Sequence, residues 1–525
     1  MRRCLPFGLQ YALSFCCAWG PAQAATCESL AAVSLPQTSI SVAQVVPAGI
    51  FNPPYGNPVS NVPEFCRVAG IIQPSSDSYI RFEVWMPASG WNGKYRGVGN
   101  GGFAGSIDFN SMGNNVRRGY ATAATDTGHE GEAADGSWAY KHGEKVVDFG
   151  YRALHLTTVN AKSLIKAFYD NPLQHSYFDS CSDGGREALM EVQRFPEDFD
   201  GVLAGAPANN WTHMVAGAVD VLKTLYGDPA AYIPSVKLPA ITAAVRRACD
   251  AQDGVKDGIV SDPTKCHFDP NVLLCHGPES RTCLTGPQIT ALKKIYSGPR
   301  NSKGEPIFLG LMPGGEEGPG AWGSWVTGPG PGAGAVPGYV ENFLRYMVFE
   351  DPAWSVLKGN VDEAVRASDA KTGSILNATD PDLRRFRTRG GKLIMYHGWN
   401  DPAISPLNSL NYFNSVIGKM GADQTGHFMR LYMAPGVGHC GGGVGPGSFG
   451  QLGMTTAKGS KYGLADALES WVEKGTTPGD ITATKYNGSN VVMTRPLCAY
   501  PQVPNYNGTG DTNDVASFVC ASPDR

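Results

Sequence analysis

Residues 179–189 read "DSCSDGGREAL", and two nucleophilic side chains, Cys181 and Ser182, stand next to each other in them. The stretch overlaps a strand-like run, "SYFDSCS" (176–182), and leads into a segment with helical character, "GGREALMEVQRF" (184–195), which predicts a strand, a sharp turn and a helix. Such a turn exposes a nucleophile only if the residues two before and two after it are small, because the strained backbone passes close to both. Ser182 has Ser180 and Gly184 in those places, whereas Cys181 would have Asp179 and Asp183, both too large. Ser182 is the expected nucleophile. The pattern is S-x-S-x-G, not G-x-S-x-G, and on its own it reads equally well as a capping serine at a Gly-rich helix start.

Partners further along the chain favour the nucleophile. A serine hydroxyl attacks poorly until an imidazole takes its proton and a carboxylate fixes that imidazole's tautomer. On an α/β-hydrolase sheet the chain order is Ser, Asp, His, with acid and base on loops after late strands. "LIMYHGWNDPAIS" (393–405) offers Asp401 after one apolar run, and "LYMAPGVGHC" (431–440) offers His439 after the next. His397 is the rival base, but it falls at a strand end, where a local hydrogen bond is the expected role. His129 and His427 read as structural or surface histidines. An oxyanion hole needs two backbone N–H groups: Asp183 supplies one, and Gly101 or Gly102 in "GVGNGGFAG" (97–105) the other. That loop lacks the Lys and helix start of a phosphate cradle.

Cys181 and Cys440 flank the expected nucleophile and base. If Ser182 and His439 meet, the two sulfurs come within bridging distance, so a disulfide is expected there and Cys181 is a staple. Closing a loop of about 260 residues stabilises by roughly 5–6 kcal/mol in the chain-entropy model, an upper value.

The chain has 525 residues, 42% hydrophobic and 17% charged, which predicts a globular protein of about two domains. A formal charge of −4 and no basic stripe exclude a nucleic-acid binder. Residues 1–25, "MRRCLPFGLQYALSFCCAWGPAQAA", have two arginines, a short apolar stretch and an A-x-A-like site, so a cleaved export signal is expected. No other segment has the ~20 apolar residues of a membrane span. Removal of that signal leaves ten of the thirteen cysteines, an even number that favours disulfides in a secreted or periplasmic protein. Spacing does not fix connectivity, although close neighbours suggest Cys249–Cys266, Cys275–Cys283 and Cys498–Cys520.

Strand-like runs at 79–87, 94–100, 120–126 and 201–207 alternate with helical spacing over 149–169, which predicts a parallel sheet covered by helices on both faces. The pattern breaks between 209 and 389 and resumes at 390. The chain therefore divides into a catalytic α/β domain (26–208 and 390–525) and an inserted cap (209–389). Within the cap, the Gly/Pro-rich run 313–338 reads as a surface loop, and Trp322, Trp325, Phe343, Tyr346 and Phe349 are candidates to line a pocket.

The Cys-Ser-x-Gly-Gly elbow, the distant Asp401 and the Gly-His-Cys at 438–440 together resemble the tannase/feruloyl esterase family of α/β-hydrolases, which includes a hydrolase of mono(2-hydroxyethyl) terephthalate. The resemblance extends over "WNGKYRGVGNGGFAG", "DTGHEG", "CDAQDGVKDGIVSDP", "HGWNDPAISP" and the tail "TRPLCAYPQVPNYNGTGDTNDVASFVC". It implies a Ser182–Asp401–His439 triad, the Cys181–Cys440 bridge, and the pairs Cys27–Cys66, Cys249–Cys266, Cys275–Cys283 and Cys498–Cys520. "CDAQDGVKDGIVSD" (249–262) is by its own chemistry either a solvated acidic turn or an oxygen-rich cation loop. The resemblance implies the latter: structural Ca²⁺ on Asp250, Asp253 and Asp257 and the carbonyls of Val255 and Ile259. No organic cofactor is implied.

The expected substrates are small aromatic esters, free or attached to plant polymer, with feruloyl esters ahead of galloyl esters and terephthalate monoesters. A terephthalate carboxylate would need a cation, for which the cap offers Arg345 and Arg366. A non-catalytic binding protein and a peptidase are the competing classes.

Overall fold

A computed structural model describes residues 25–457 and 463–522. The expected export signal, apart from its last residue Ala25, lies outside the described residues, as do Cys4, Cys16 and Cys17.

The strands are β1 (Thr38–Val46), β2 (Gly49–Phe51), β3 (Val59–Val62), β4 (Phe65–Ile72), β5 (Ile80–Pro87), β6 (Lys94–Val98), β7 (Ala121–Thr125), β8 (His175–Cys181), β9 (Gly201–Gly205), β10 (Lys392–Gly398) and β11 (Met429–Ala434), followed by β12 (Ile481–Asn487), β13 (Asn490–Leu497), β14 (Val503–Tyr506) and β15 (Phe518–Ala521) in two small ribbons. Nine of them form one sheet in the order β1-β4-β5-β7-β6-β8-β9-β10-β11, with β2 and β3 as a separate ribbon. From β7 to β11 the neighbours are parallel, and β7 and β9 are buried at every position, as strands covered on both faces must be. The sheet is mixed rather than wholly parallel: β4 pairs antiparallel with β1 and with β5, and β5 with β7; the link 73–79 between β4 and β5 is too short for a crossover helix.

Alternation along β8 sends Phe178 to one face and Tyr177 to the other. Phe178 packs in a core with the helices Ala153–Phe168, Asp183–Arg194 and Leu407–Met420, and Tyr177 in a core with the helix Leu464–Lys474. The chain leaves β6 for β7 on one side and later returns to β8 on the other. The C-terminal ends of β6 and β8 thus flank the point where strand order reverses, the crevice in which such sheets bind ligands.

Between β9 and β10 no segment joins the large sheet among the described residues. Helices Trp211–Tyr226, Leu238–Cys249, Gly286–Ser297, Ala335–Asn342 and Val361–Ser368 fill the interval. Thr285 and Gln288 close a capping box at the start of Gly286–Ser297, pairing two end groups the helix leaves unmet. Ile241, Leu292 and Trp322 centre a core within this segment, while Val340 and Phe343 share another with Phe103 and Phe149.

The Gly/Pro run 313–338 is not a surface loop. Glu316, Trp322 and Thr327 are fully buried in it. Its glycines allow backbone to pass backbone: a Cβ on Gly315 would lie 2.7 Å from the Asn400 carbonyl oxygen, and one on Gly334 2.6 Å from that of Trp325.

Five disulfides tie the fold: Cys27–Cys66, Cys181–Cys440, Cys249–Cys266, Cys275–Cys283 and Cys498–Cys520.

Candidate active site

Ser182 lies between β8 and the helix Asp183–Arg194 with φ 68° and ψ −122°, a conformation a non-glycine residue holds only under constraint. A Cβ on Gly184 would lie 1.8 Å from the Ser180 Oγ, and one on Gly185 2.2 Å from the Gly205 carbonyl oxygen, so the turn requires both glycines. Buried Arg186 donates to the Asp183 carboxylate (2.6 Å) and to the carbonyls of Gly150 and Phe149, fixing the first helical turn. The Ser182 hydroxyl makes no hydrogen bond among the described residues; it opens onto the crevice, which His439 also lines.

His439 follows β11, and its Nδ1 is 2.8 Å from Asp401 Oδ2. Asp401 follows β10 and is buried. Its Oδ1 accepts the N–H groups of Ala403 (2.8 Å) and Ile404 (3.0 Å), and its Oδ2 meets both His439 Nδ1 and His397 Nε2 (3.0 Å). Burial alone would raise this carboxyl, but the two histidines outweigh it and hold it well below the usual carboxylate range. His397 lies at the strand end, fully buried, with its Nδ1 2.8 Å from the Ser409 hydroxyl. If Ser409 donates there, His397 Nε2–H donates to Asp401.

Gly101 and Gly102 follow β6, and their N–H groups, like that of Asp183, have no partner among the described residues. Gly102 (φ +60°) lines the crevice with Ser182 and approaches the inserted segment: a Cβ there would lie 2.7 Å from the Tyr339 hydroxyl. Buried Glu187 accepts the Asn100 N–H at 2.8 Å and so ties this loop to the helix behind Ser182. His129 is buried, stacked on Trp138 at 3.7 Å and 2.7 Å from the Phe103 carbonyl through Nε2; His427 is exposed.

The crevice has two lobes. Gly102, Ser182, Trp325 and Tyr339 line both. One runs beneath the inserted helices between Trp211 and Leu311; the other contains His439 and the residues around Asn100 and Asn114. Trp325 meets the His439 ring edge-to-face at 5.0 Å. Of the aromatic candidates, Trp325 alone lines the crevice: Trp322 and Phe343 are core, Tyr346 lies against Tyr140, and Phe349 stacks on Trp354. Tyr339, Trp211 and Glu187 went unnoticed in the sequence; a carboxylate within the apolar face of "GGREALMEV" is the signal that points to Glu187. Arg345 pairs with Glu341, Arg366 is exposed, and neither lines the crevice.

The loop 250–262 lies apart from Ser182 but against the stretch leading to His439: a Cβ on Gly436 would lie 3.2 Å from Ile259. Asp250 accepts the Gly258 N–H (3.0 Å), Asp253 that of Val255 (3.0 Å) and Asp257 that of Ile259 (3.0 Å), while Arg495 pairs with Asp257. Burial, followed by Asp253 and Asp250, keeps the Asp257 carboxyl above its ordinary value in spite of Arg495. The loop offers carboxylate and carbonyl oxygens alone, the donor chemistry a hard cation takes, although Asp250, Asp253 and Asp257 do not converge on a single point.

A strained serine at the switch point, with an Asp–His pair on the loops after β10 and β11, defines the α/β-hydrolase class. The chain belongs to the tannase and feruloyl esterase family, whose sequence model matches residues 66–521. It is 42% identical over 533 residues to a Xanthomonas campestris protein named an uncharacterised esterase, covering 95% of this chain and 92% of that one. It is 32% identical to feruloyl esterase B of Aspergillus niger, covering 87% of each chain. The crystal structure of feruloyl esterase B from Aspergillus oryzae superposes with a TM-score of 0.87 at 32% identity, covering 94% of this chain and 99% of that one. The chain is accordingly a carboxylic ester hydrolase.

Proposed function

We propose that it is an exported serine esterase of aromatic carboxylic acids, feruloyl and related hydroxycinnamoyl esters foremost, including esters carried on plant polymer. The observation that supports this best is the left-handed Ser182 at the strand switch point, sharing a crevice with an imidazole backed by a four-donor carboxylate. His439 Nε2 takes the Ser182 proton as Oγ attacks the ester carbonyl, and Asp401 stabilises the imidazolium. The N–H of Asp183 and that of Gly101 or Gly102 stabilise the oxyanion, which counts for most where water is excluded. Collapse expels the alcohol, which leaves with the proton from His439. Water then releases the acid by the reverse sequence.

The five disulfides suit an oxidising compartment, and no described helix is long and apolar enough to cross a membrane. A structural Ca²⁺ on Asp250, Asp253, Asp257 and the Val255 and Ile259 carbonyls would brace the loop beneath Gly436.

Purified protein, assayed on methyl ferulate, methyl gallate and a terephthalate monoester beside its Ser182→Ala variant, tests the reading. Turnover of ferulate that falls by several orders of magnitude in the variant is expected. Turnover that survives in Ser182→Ala, or peptides cleaved in preference to all three esters, would overturn it. Terephthalate ranks last because no cationic side chain lines the apolar lobe, and Arg96 in the other lobe is held by Glu469.

A further inference from the structure

We infer that His155, Glu191 and Asp198 form a site for one divalent cation of the Zn²⁺ or Mn²⁺ kind, which pins the helix behind Ser182 to a neighbouring helix and to the turn before β9. The inference is independent of the esterase reading. His155 stands in the first turn of the helix Ala153–Phe168, Glu191 in the last turn of Asp183–Arg194, and Asp198 in the turn between that helix and β9. One ligand atom from each lies within 4.8 Å of the other two. His155 Nδ1 is 2.6 Å from Asp198 Oδ2, and its ring is held flat against Phe195 at 3.8 Å. Glu191 lies about 13 Å along the helix from Ser182, and none of the three lines the crevice, so the role is structural.

Glu191 carries the argument. It is 2% exposed, and neither of its carboxylate oxygens has a hydrogen-bond partner among the described residues. A carboxylate so placed needs a proton or a cation. Lys162 does not serve, because its ammonium donates to the carbonyls of Glu197 (3.2 Å) and Asp198. Burial, then the Asp198 carboxylate, push the Glu191 carboxyl well above its ordinary value, so the metal-free pair holds a proton. A divalent cation takes that proton's place, cancels both carboxylate charges and sends the proton to solvent. One imidazole with two carboxylates suits Zn²⁺ or Mn²⁺, whereas Ca²⁺ takes oxygens alone. The His155 side chain, 27% exposed, leaves a way in, and water completes the coordination. Near the pair, the hydroxyls of Tyr95 and Thr158 are also buried without a partner, and both carboxylates act on the Tyr95 phenol. They are placed to bond such a water.

Purified protein, stripped with a chelator and returned to millimolar Ca²⁺ so that the loop 250–262 stays constant, is titrated with Zn²⁺ by calorimetry and then melted. A single Zn²⁺ is expected to bind, release protons to the buffer and raise the melting temperature. Glu191→Gln and His155→Asn are each expected to weaken that binding at least roughly tenfold, since losing a ligand costs no less than losing an outer partner. Wild type that binds no Zn²⁺ overturns the inference and leaves Glu191 and Asp198 held by a shared proton. Binding that either variant leaves unchanged overturns it as well, because the cation then sits elsewhere. If Glu191→Gln does not fold, His155→Asn, at a half-buried ring, decides alone.

Discussion

At the level of single residues the site depends on Asp401. A carboxylate has room for about four donors, and here all four are present: two backbone N–H groups and two histidines. Asn in its place keeps the shape but turns one acceptor into a donor, which opposes either the backbone or the imidazoles. Asp401→Asn is expected to lower kcat on the order of 10⁴-fold with little change in KM. A loss below about tenfold would show that His439 keeps its tautomer without the carboxylate. The strained turn at Ser182 and the pairing of Asp401 with His439 were legible in the sequence because their constraints are local: small flanks around an elbow, and polar residues just after apolar runs. The second histidine on Asp401 was legible only as a residue with some local bond, since its supporting hydroxyl, Ser409, comes from a helix turn twelve residues on.

At the level of elements the helix Asp183–Arg194 carries the nucleophile's neighbour at one end and Glu187 beneath the glycine loop. Burial, reinforced by the nearby Asp183 carboxylate, pushes the Glu187 carboxyl up to about 8. The folded state therefore holds this proton more tightly than the unfolded chain. The stability it contributes is complete below the unfolded value near 4.5 and is lost as pH rises to about 8. Glu187→Gln keeps an acceptor for the Asn100 N–H and removes the titration. Denaturant melts at pH 5 and pH 8 should show wild type losing stability relative to the variant, by up to about 1.4 kcal/mol per pH unit. Equal losses would mean that Glu187 is already ionised in the folded protein at pH 5. The acidic loop 250–262 makes a separate prediction: millimolar Ca²⁺ should raise the melting temperature and a chelator lower it, with Asp253→Asn abolishing the difference. A melting temperature indifferent to Ca²⁺ would reduce the loop to a turn neutralised by Arg495. Most strands of the large sheet were legible because apolar runs punctuated by glycine mark buried strands, whereas their order and the antiparallel edge of β1 and β4 were not. The roof was not: the run 313–338 has a composition that reads as loop, and only the packing of Trp325 and Tyr339 over Ser182 shows why the backbone there is so rich in glycine.

For the whole molecule, the bridge Cys181–Cys440 spans 259 residues, and the entire insertion between β9 and β10 lies within that span. Elbow, roof and base loop are thus one covalent ring, with sulfur as its clasp. A protease that cut the chain once inside the ring, say between Gly328 and Gly334, would produce a nicked molecule but no separated pieces. Under denaturing, non-reducing electrophoresis it would still migrate as a single species, and thiol treatment would release two. Ser182 and His439 would remain tethered through the break, so such a cut need not silence the enzyme as it would an unclasped chain.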